Sequence, residues 1–301
     1  MRLKKSLLLS FISILTLNKS ISNLSYASSM MASMKKVPAS RLGISEPPPD
    51  WFGNPANICS SNWTNKNWLK SRFHFSFAEY NNIRNQNFGV LRVMNDDLVQ
   101  PARGFGEHPH RDVEICTYIV EGALTHKDSM GTAETLHRGD IQFMSAGSGI
   151  THSEHNLDDS NPLRFIQIWI TTRQRGIKPV YGSTIGKEET RLNQWSHLVK
   201  DIKDTSIDCP ISINADANIF VAEIEGSKII NFDLKEGRQS YLLCVEGDVT
   251  IHGSASIQLS RHDAVEIVGA QQLSFSSQND SKAHLLIVEM KHERGSGRTD
   301  L

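Results

Sequence analysis

An all-β architecture of two tandem barrels is the fold class this 301-residue sequence predicts, and three observations carry it. Short runs rich in β-branched and aromatic residues recur between turn residues. Few stretches have the length and 3.6-residue periodicity of a helix. One barrel-sized pattern also occurs twice. Cys116-Thr-Tyr-Ile-Val-Glu-Gly122 is echoed by Leu242-Leu-Cys-Val-Glu-Gly247, and Leu136-His-Arg-Gly-Asp-Ile141 by Leu259-Ser-Arg-His-Asp-Ala264.

Residues 1–45 read as a targeting leader of signal or transit type. Arg2, Lys4 and Lys5 precede the apolar run Leu7–Leu17, which is too short to span a bilayer. Ser25-Tyr26-Ala27 offers a small-residue cleavage site, and a Ser-rich, basic stretch follows. A bipartite plastid address, secretion and mitochondrial import all suit this pattern, and initiation at Met30 or Met31 would give a cytosolic form. No membrane contact is expected of the mature chain. The sequons at Asn62 and Asn279 matter only on a secretory route. The leader holds seven Lys/Arg and no acid, leaving 25 basic against 33 acidic residues. An acidic body argues against a binder of nucleic-acid backbones, which needs a basic face.

Glu46-Pro-Pro-Pro-Asp50 opens a stiff linker over 46–65. The first barrel is expected over 66–185, with strands near Arg72–Tyr80, Gly89–Val93, Ile115–Val120, Ile141–Met144 and Phe165–Thr171. The polar stretch 178–208 carries the connection. The second barrel, over 186–301, has expected strands at Ile219–Ile224, Lys228–Phe232, Ser240–Val245, Val249–His252, Ala264–Val268, Leu273–Ser276 and His284–Met290. Cys59, Cys116, Cys209 and Cys244 are widely spaced and form no C-x-x-C pair, so neither a disulfide framework nor a zinc ribbon is expected.

The chemistry concentrates in His108-Pro-His110 and His152-Ser-Glu154. Alternate residues of a strand share a face, so two neighbouring strands could aim three imidazoles and one carboxylate at one point. That donor set suits a first-row transition metal. In the second copy the ligands are gone: Arg238-Gln-Ser240 is the expected counterpart of the first pair and Leu273-Ser-Phe275 of the second. His155 has the wrong parity for the site. His74, His126, His137, His197, His252, His262, His284 and His292 have no partner at ligand spacing and are expected to be surface or satisfied side chains.

Gly104-Phe-Gly-Glu-His-Pro-His-Arg-Asp-Val-Glu-Ile-Cys-Thr-Tyr-Ile-Val-Glu-Gly122 resembles the first cupin motif. Gly139-Asp-Ile-Gln-Phe-Met-Ser-Ala-Gly-Ser-Gly-Ile-Thr-His-Ser-Glu-His-Asn156 resembles the second, departing from it at Ser145, where many cupins place Pro. With Ala123-Leu-Thr-His-Lys-Asp-Ser-Met-Gly131 between them, the chain resembles the pirin family from about Asn65 onward. The resemblance implies a bicupin: two double-stranded β-helix (jelly-roll) barrels, one of them metal-binding. It implies His108, His110, His152 and Glu154 as ligands. Glu114 is the rival carboxylate, or else an acceptor orienting a ligand imidazole.

The same resemblance implies Fe(II), with Mn, Cu, Ni, Co or Zn as alternatives, and quercetin 2,3-dioxygenase activity on a flavonol-like aromatic substrate with O2. Glu154 would be the general base. The competing expectations are an iron-containing, redox-responsive cofactor that binds transcription factors without turnover, and a different cupin chemistry such as isomerisation. The family's habit implies a monomer.

Overall fold

The computed structural model describes residues 31–55, 67–277 and 281–292. The leader features before Met31, Cys59 and the sequons at Asn62 and Asn279 lie outside or against the edge of these segments.

Two seven-stranded sheets and two four-stranded sheets form two barrels. In the first, the large sheet runs β12 (Val180–Thr184), β9 (Ile141–Ser145), β6 (Val113–Glu121), β11 (Leu163–Thr171), β4 (Leu91–Val99), β3 (Leu69–Phe73), β2 (Gly43–Ser45). The small sheet opposite it is β5 (Arg103–His110), β10 (Ile150–Asn156), β7 (Ala123–Asp128), β8 (Ala133–His137). In the second barrel the large sheet is β1 (Ser33–Val37), β20 (Ala264–Val268), β17 (Arg238–Glu246), β22 (Ala283–Lys291), β15 (Ala217–Ile224), β13 (Ser196–Asp201), β14 (Ile211–Ile213). Its small sheet is β16 (Ile229–Leu234), β21 (Gln271–Ser277), β18 (Asp248–His252), β19 (Ser256–Ser260). A single turn of helix, α1 (Glu188–Arg191), lies between the two sets.

Strand alternation divides the apolar residues into separate cores. On β6 and β11, Cys116, Tyr118, Val120, Ile166, Ile168 and Ile170 face the other barrel, where they meet Ile219, Val221, Tyr241, Leu243, Leu286 and Val288. Their neighbours in sequence point into the first barrel instead. Buried polar pairs cross this apolar layer: His74 Nδ1 lies 2.9 Å from the Tyr241 hydroxyl, and the Tyr118 hydroxyl 3.0 Å from His284 Nε2. Arg164 forks onto Asp96, which also holds His262. The repeated Glu-Gly phrase is a repeated turn. Gly122 and Gly247 have φ of 76° and 72°, and a Cβ on either would strike a backbone carbonyl, that of Pro162 or of Lys282.

Four sequence expectations change. Residues 33–45, expected within a leader, contribute strands: β1 pairs along its whole length with β20 of the second barrel, and β2 pairs with β3 of the first. The acid-free composition suggested an address, yet Lys36 meets Asp263 at 2.7 Å, and Val37 and Leu42 are buried between the barrels. The run Arg72–Tyr80 splits, because the chain turns after Phe73 and Ala78 takes φ 46°. The stretch 178–208 contributes β12 to one sheet and β13 to the other. Finally, β5 corresponds in sheet position to β16. The counterparts of His108 and His110 are therefore Phe232 and Leu234, which pair with Leu273 and Gln271 as His108 and His110 pair with His152 and Ile150. Arg238-Gln-Ser240 begins β17, the counterpart of β6.

Candidate metal centre

The edge strand β5 and its neighbour β10 of the small sheet hold the histidines. His152 on β10 lies directly opposite His108 on β5, and Ile150 opposite His110. Their ring centroids form a near-equilateral triangle with sides of 4.5, 4.8 and 4.8 Å. The register shifts between His152 and Glu154, a bulge of the kind that re-aims side chains beside active sites. Close approach of the strands there needs Gly104, since a Cβ on it would lie 2.4 Å from the Glu154 carbonyl oxygen.

A backbone hydrogen bond assigns the His108 tautomer. His108 Nδ1 donates to the Gly106 carbonyl at 2.8 Å, so Nε2 carries the free lone pair, and it points to His152 Nε2 3.1 Å away. Burial pushes all three imidazoles down: His108 against its hydrogen bond to Gly106, and His110 to about 4 and His152 to about 2, these two further lowered by neighbouring histidines. Three neutral imidazoles whose ring nitrogens lie within 4.8 Å of one another fit a transition-metal cation, and protons do not compete for them near neutral pH.

Glu154 lies deeper and is fully buried. Its Oε1 accepts from Gln142 Nε2 at 2.8 Å and from the Thr117 hydroxyl at 3.2 Å, and its Oε2 accepts from Gln167 Nε2 at 3.0 Å. Burial raises its pKa to about 7, opposed by those donors. His152 and Glu154 also share a group with His126, in which ligand atoms lie within 4.8 Å of one another. Glu114 lies in neither histidine group found among the described residues; its carboxylate takes the Ser145 hydroxyl, so the departure from Pro at 145 gives it a partner.

Sequence reasoning missed His126. It sits on β7 opposite Glu154, donates Nε2–H to Asp128 at 3.1 Å and stacks on Tyr181 with centroids 4.6 Å apart. Its Nδ1 and that of His152 are both buried without a partner. The spacing His126-x-Asp128 was a visible signal, but only the β7–β10 register brings it to the site.

A cavity of about 210 Å3 opens beside the histidines. Its walls are mainly aromatic, with Phe52, Trp68 and Phe105 meeting edge to face and Trp169 4.9 Å from His110. Ser45, Pro47, Trp51 and Phe52 also line it, although sequence reasoning placed these residues in leader and linker.

Two stacked jelly-roll barrels, one with a histidine cluster in its mouth, define a bicupin. Residues 57–170 match the family model described as Pirin, and 204–290 that of the quercetinase C-terminal cupin domain. The chain is 36% identical to a quercetin 2,3-dioxygenase of Escherichia coli over 225 residues, covering 73% of this chain and 92% of that one. It is likewise 36% identical to a pirin-like protein of Caulobacter vibrioides over 222 residues, 74% of this chain and 92% of the relative. The bacterial pirin YhhW of Escherichia coli, solved with nickel(II), superposes with a TM-score of 0.71 at 29% identity, covering 87% of this chain and all of the other. The chain belongs to the pirin family.

Proposed function

We propose that this chain is a metal-dependent dioxygenase that opens the ring of flavonols such as quercetin with O2 and releases carbon monoxide. The observation that carries the reading is the aromatic-rich cavity with His108, His110 and the buried Glu154 on its wall and His152 grouped with the two histidines behind it. A relative named for this activity supports it.

We assign His108, His110, His152 and Glu154 as the ligands and Fe(II) as the metal. When bound, the metal supplies Lewis-acid polarisation of the substrate's 3-hydroxyl oxygen. The remaining work falls to the chain. Phe52, Trp68, Phe105 and Trp169 clamp a flat ring system and exclude water. Glu154 takes the proton of the 3-hydroxyl onto a carboxylate oxygen. Gln142, Gln167 and Thr117 hold that carboxylate in one orientation, so it moves little on gaining or losing the proton. Electron density released on the flavonolate then drives its reaction with O2, whose two atoms enter the ring-opened ester as carbon monoxide leaves.

The full chain, loaded anaerobically with Fe(II), Mn(II), Cu(II), Ni(II) or Co(II) and then given quercetin and air, should bleach the flavonol with release of carbon monoxide. Tight metal binding without bleaching would sink the dioxygenase reading and leave the redox-responsive binder in its place.

A further inference from the structure

Polar residues continue along the cavity wall beyond Glu154. Asn95 lies opposite Gln167 in the β4–β11 pair, and Gln167 in turn donates to Glu154. Asn95 and Asp97 are two residues apart on one strand and share the cavity face, whereas Asp96 between them turns to Arg164 and the other barrel. Asp97 is anchored, since the Ser71 hydroxyl donates to its Oδ1. Asn95 is not anchored in this way: its side chain is 3% exposed, and its Oδ1 has no donor among the described residues. Native proteins rarely leave a buried amide oxygen unpaired, and an exception in a cavity wall marks where a ligand or water completes the bond.

The second barrel shows that the strand itself does not require this polarity. In matching register, Asn95 corresponds to Phe220 and Asp97 to Ala222, and both pack into that barrel's apolar filling. The same cavity also carries the aromatic side chains of Phe73, Phe77, Phe105 and Trp169 on its wall.

We infer that Asn95, with Asp97 beside it, forms a polar subsite that accepts a hydrogen bond from a hydroxyl group on the ring system of a planar aromatic substrate, apart from the hydroxyl that meets the imidazoles. The inference rests on the cavity being the site of an aromatic substrate, as proposed above, and it narrows that substrate to polyhydroxylated ring systems. A hydroxyl suits the site because it can donate to Asn95 Oδ1 and still accept from a neighbour.

The test is equilibrium binding of flavone, 4′-hydroxyflavone and 7-hydroxyflavone to the metal-free full chain by calorimetry. None of the three has a 3-hydroxyl, so none can undergo the proposed reaction, and the result does not depend on turnover. At least one hydroxyflavone should bind about tenfold or more tightly than flavone, because a site built to hydrogen-bond a hydroxyl penalises its absence. Asn95→Leu should bring that ratio close to one, and Asn95→Ala serves if the leucine variant fails to fold. Equal binding of all three compounds, no binding of any, or a ratio that survives loss of the Asn95 amide would overturn the subsite. Failure of the dioxygenase reading would show separately, as absent bleaching with quercetin, and would leave the binding ratio as it is.

Discussion

The two barrels of this chain share one strand plan but fill it with opposite chemistry. Around the interior of the first, the strand registers bring together Thr117, Gln142, Glu154 and Gln167 with the imidazoles of His108, His110 and His152. At the matching positions the second has Leu242, Val265, Phe275, Ile287, Phe232, Leu234 and Leu273, all part of or packed against one apolar cluster. The backbone turns are kept, including the left-handed Gly122 and Gly247. A jelly roll therefore needs its turns and its inward alternation, and leaves the polarity of the inward set free. Filled with branched and aromatic side chains, the barrel is a solid core. Lined with imidazoles, amides and a carboxylate, it keeps a cavity.

The sharpest way to break that contrast is to truncate matched residues. His152→Ala should abolish metal retention, measured by elemental analysis after dialysis, while thermal denaturation shows a largely intact fold. Leu273→Ala should do the reverse: metal content stays at the wild-type level, and stability falls by about 2–5 kcal/mol as a cavity opens in a packed core. Metal retained by His152→Ala would refute the assignment of the centre. The next largest effect concerns the N-terminal strands. A chain begun at Glu46 lacks β1 and β2 and with them the buried Val37 and Leu42. Each such side chain contributes about 1.5–3 kcal/mol, so chemical denaturation should show a loss of roughly 4 kcal/mol relative to a chain begun at Met31. Equal stability of the two chains would return residues 31–45 to the leader.

These contrasts also show what could be read from the residues alone. Fold class was legible because both barrels carry the period-two alternation and paired turn motifs that define them. The pairs His108/His110 and His152/Glu154 were legible because each lies within three residues of one strand. The remaining parts of the site come together only through pairing between strands distant in sequence. Gln142, Gln167 and Thr117 look like isolated polar residues in apolar runs until β6, β9 and β11 align them on Glu154. The strand β1 was hidden for a different reason: its lysines have no acidic neighbour in sequence, and the acid they meet, Asp263, lies far along the chain. The same limit hid Asn95, whose unpaired oxygen is a fact of packing rather than of motif.

His126 sharpens the comparison at smaller scale. Its counterpart strand in the second barrel is β18, which holds no histidine at that depth, so a role in the centre rather than in the fold is expected. With Nε2–H given to Asp128, His126 Nδ1 is left as an acceptor behind His152. His126 shares a group of converging ligand atoms with His152 and Glu154, so His126→Phe should weaken metal affinity by about tenfold, with His126→Asn restoring part of it. Calorimetric titration with Ni(II) measures this directly. An unchanged affinity would make His126 a packing residue under Tyr181.

The smallest effect belongs to the layer between the barrels, and it has a definite sign. Burial pushes His74 down to about 4, against the attraction of Asp96 and with His262 and Arg72 adding to the shift. Above pH 6.5 the ring is neutral in both folded and unfolded chains, and it contributes no pH dependence. As pH falls below the ordinary histidine value, the unfolded chain takes a proton that the folded chain refuses. Stability is then lost by about 1.4 kcal/mol per pH unit until the folded ring also titrates near pH 4. Other buried histidines add similar slopes, so the measurement is the difference between wild type and His74→Phe. Urea denaturation at pH 7.5, 6.0 and 5.0 should show the variant losing less stability on acidification, by up to one proton's worth of slope. Its stability at pH 7.5 should be lower, because the 2.9 Å hydrogen bond between the His74 ring and the Tyr241 hydroxyl is lost. Parallel curves for the two proteins would mean that His74 charges without opening the layer between the barrels, and that this layer admits water the packing around Tyr241 does not suggest.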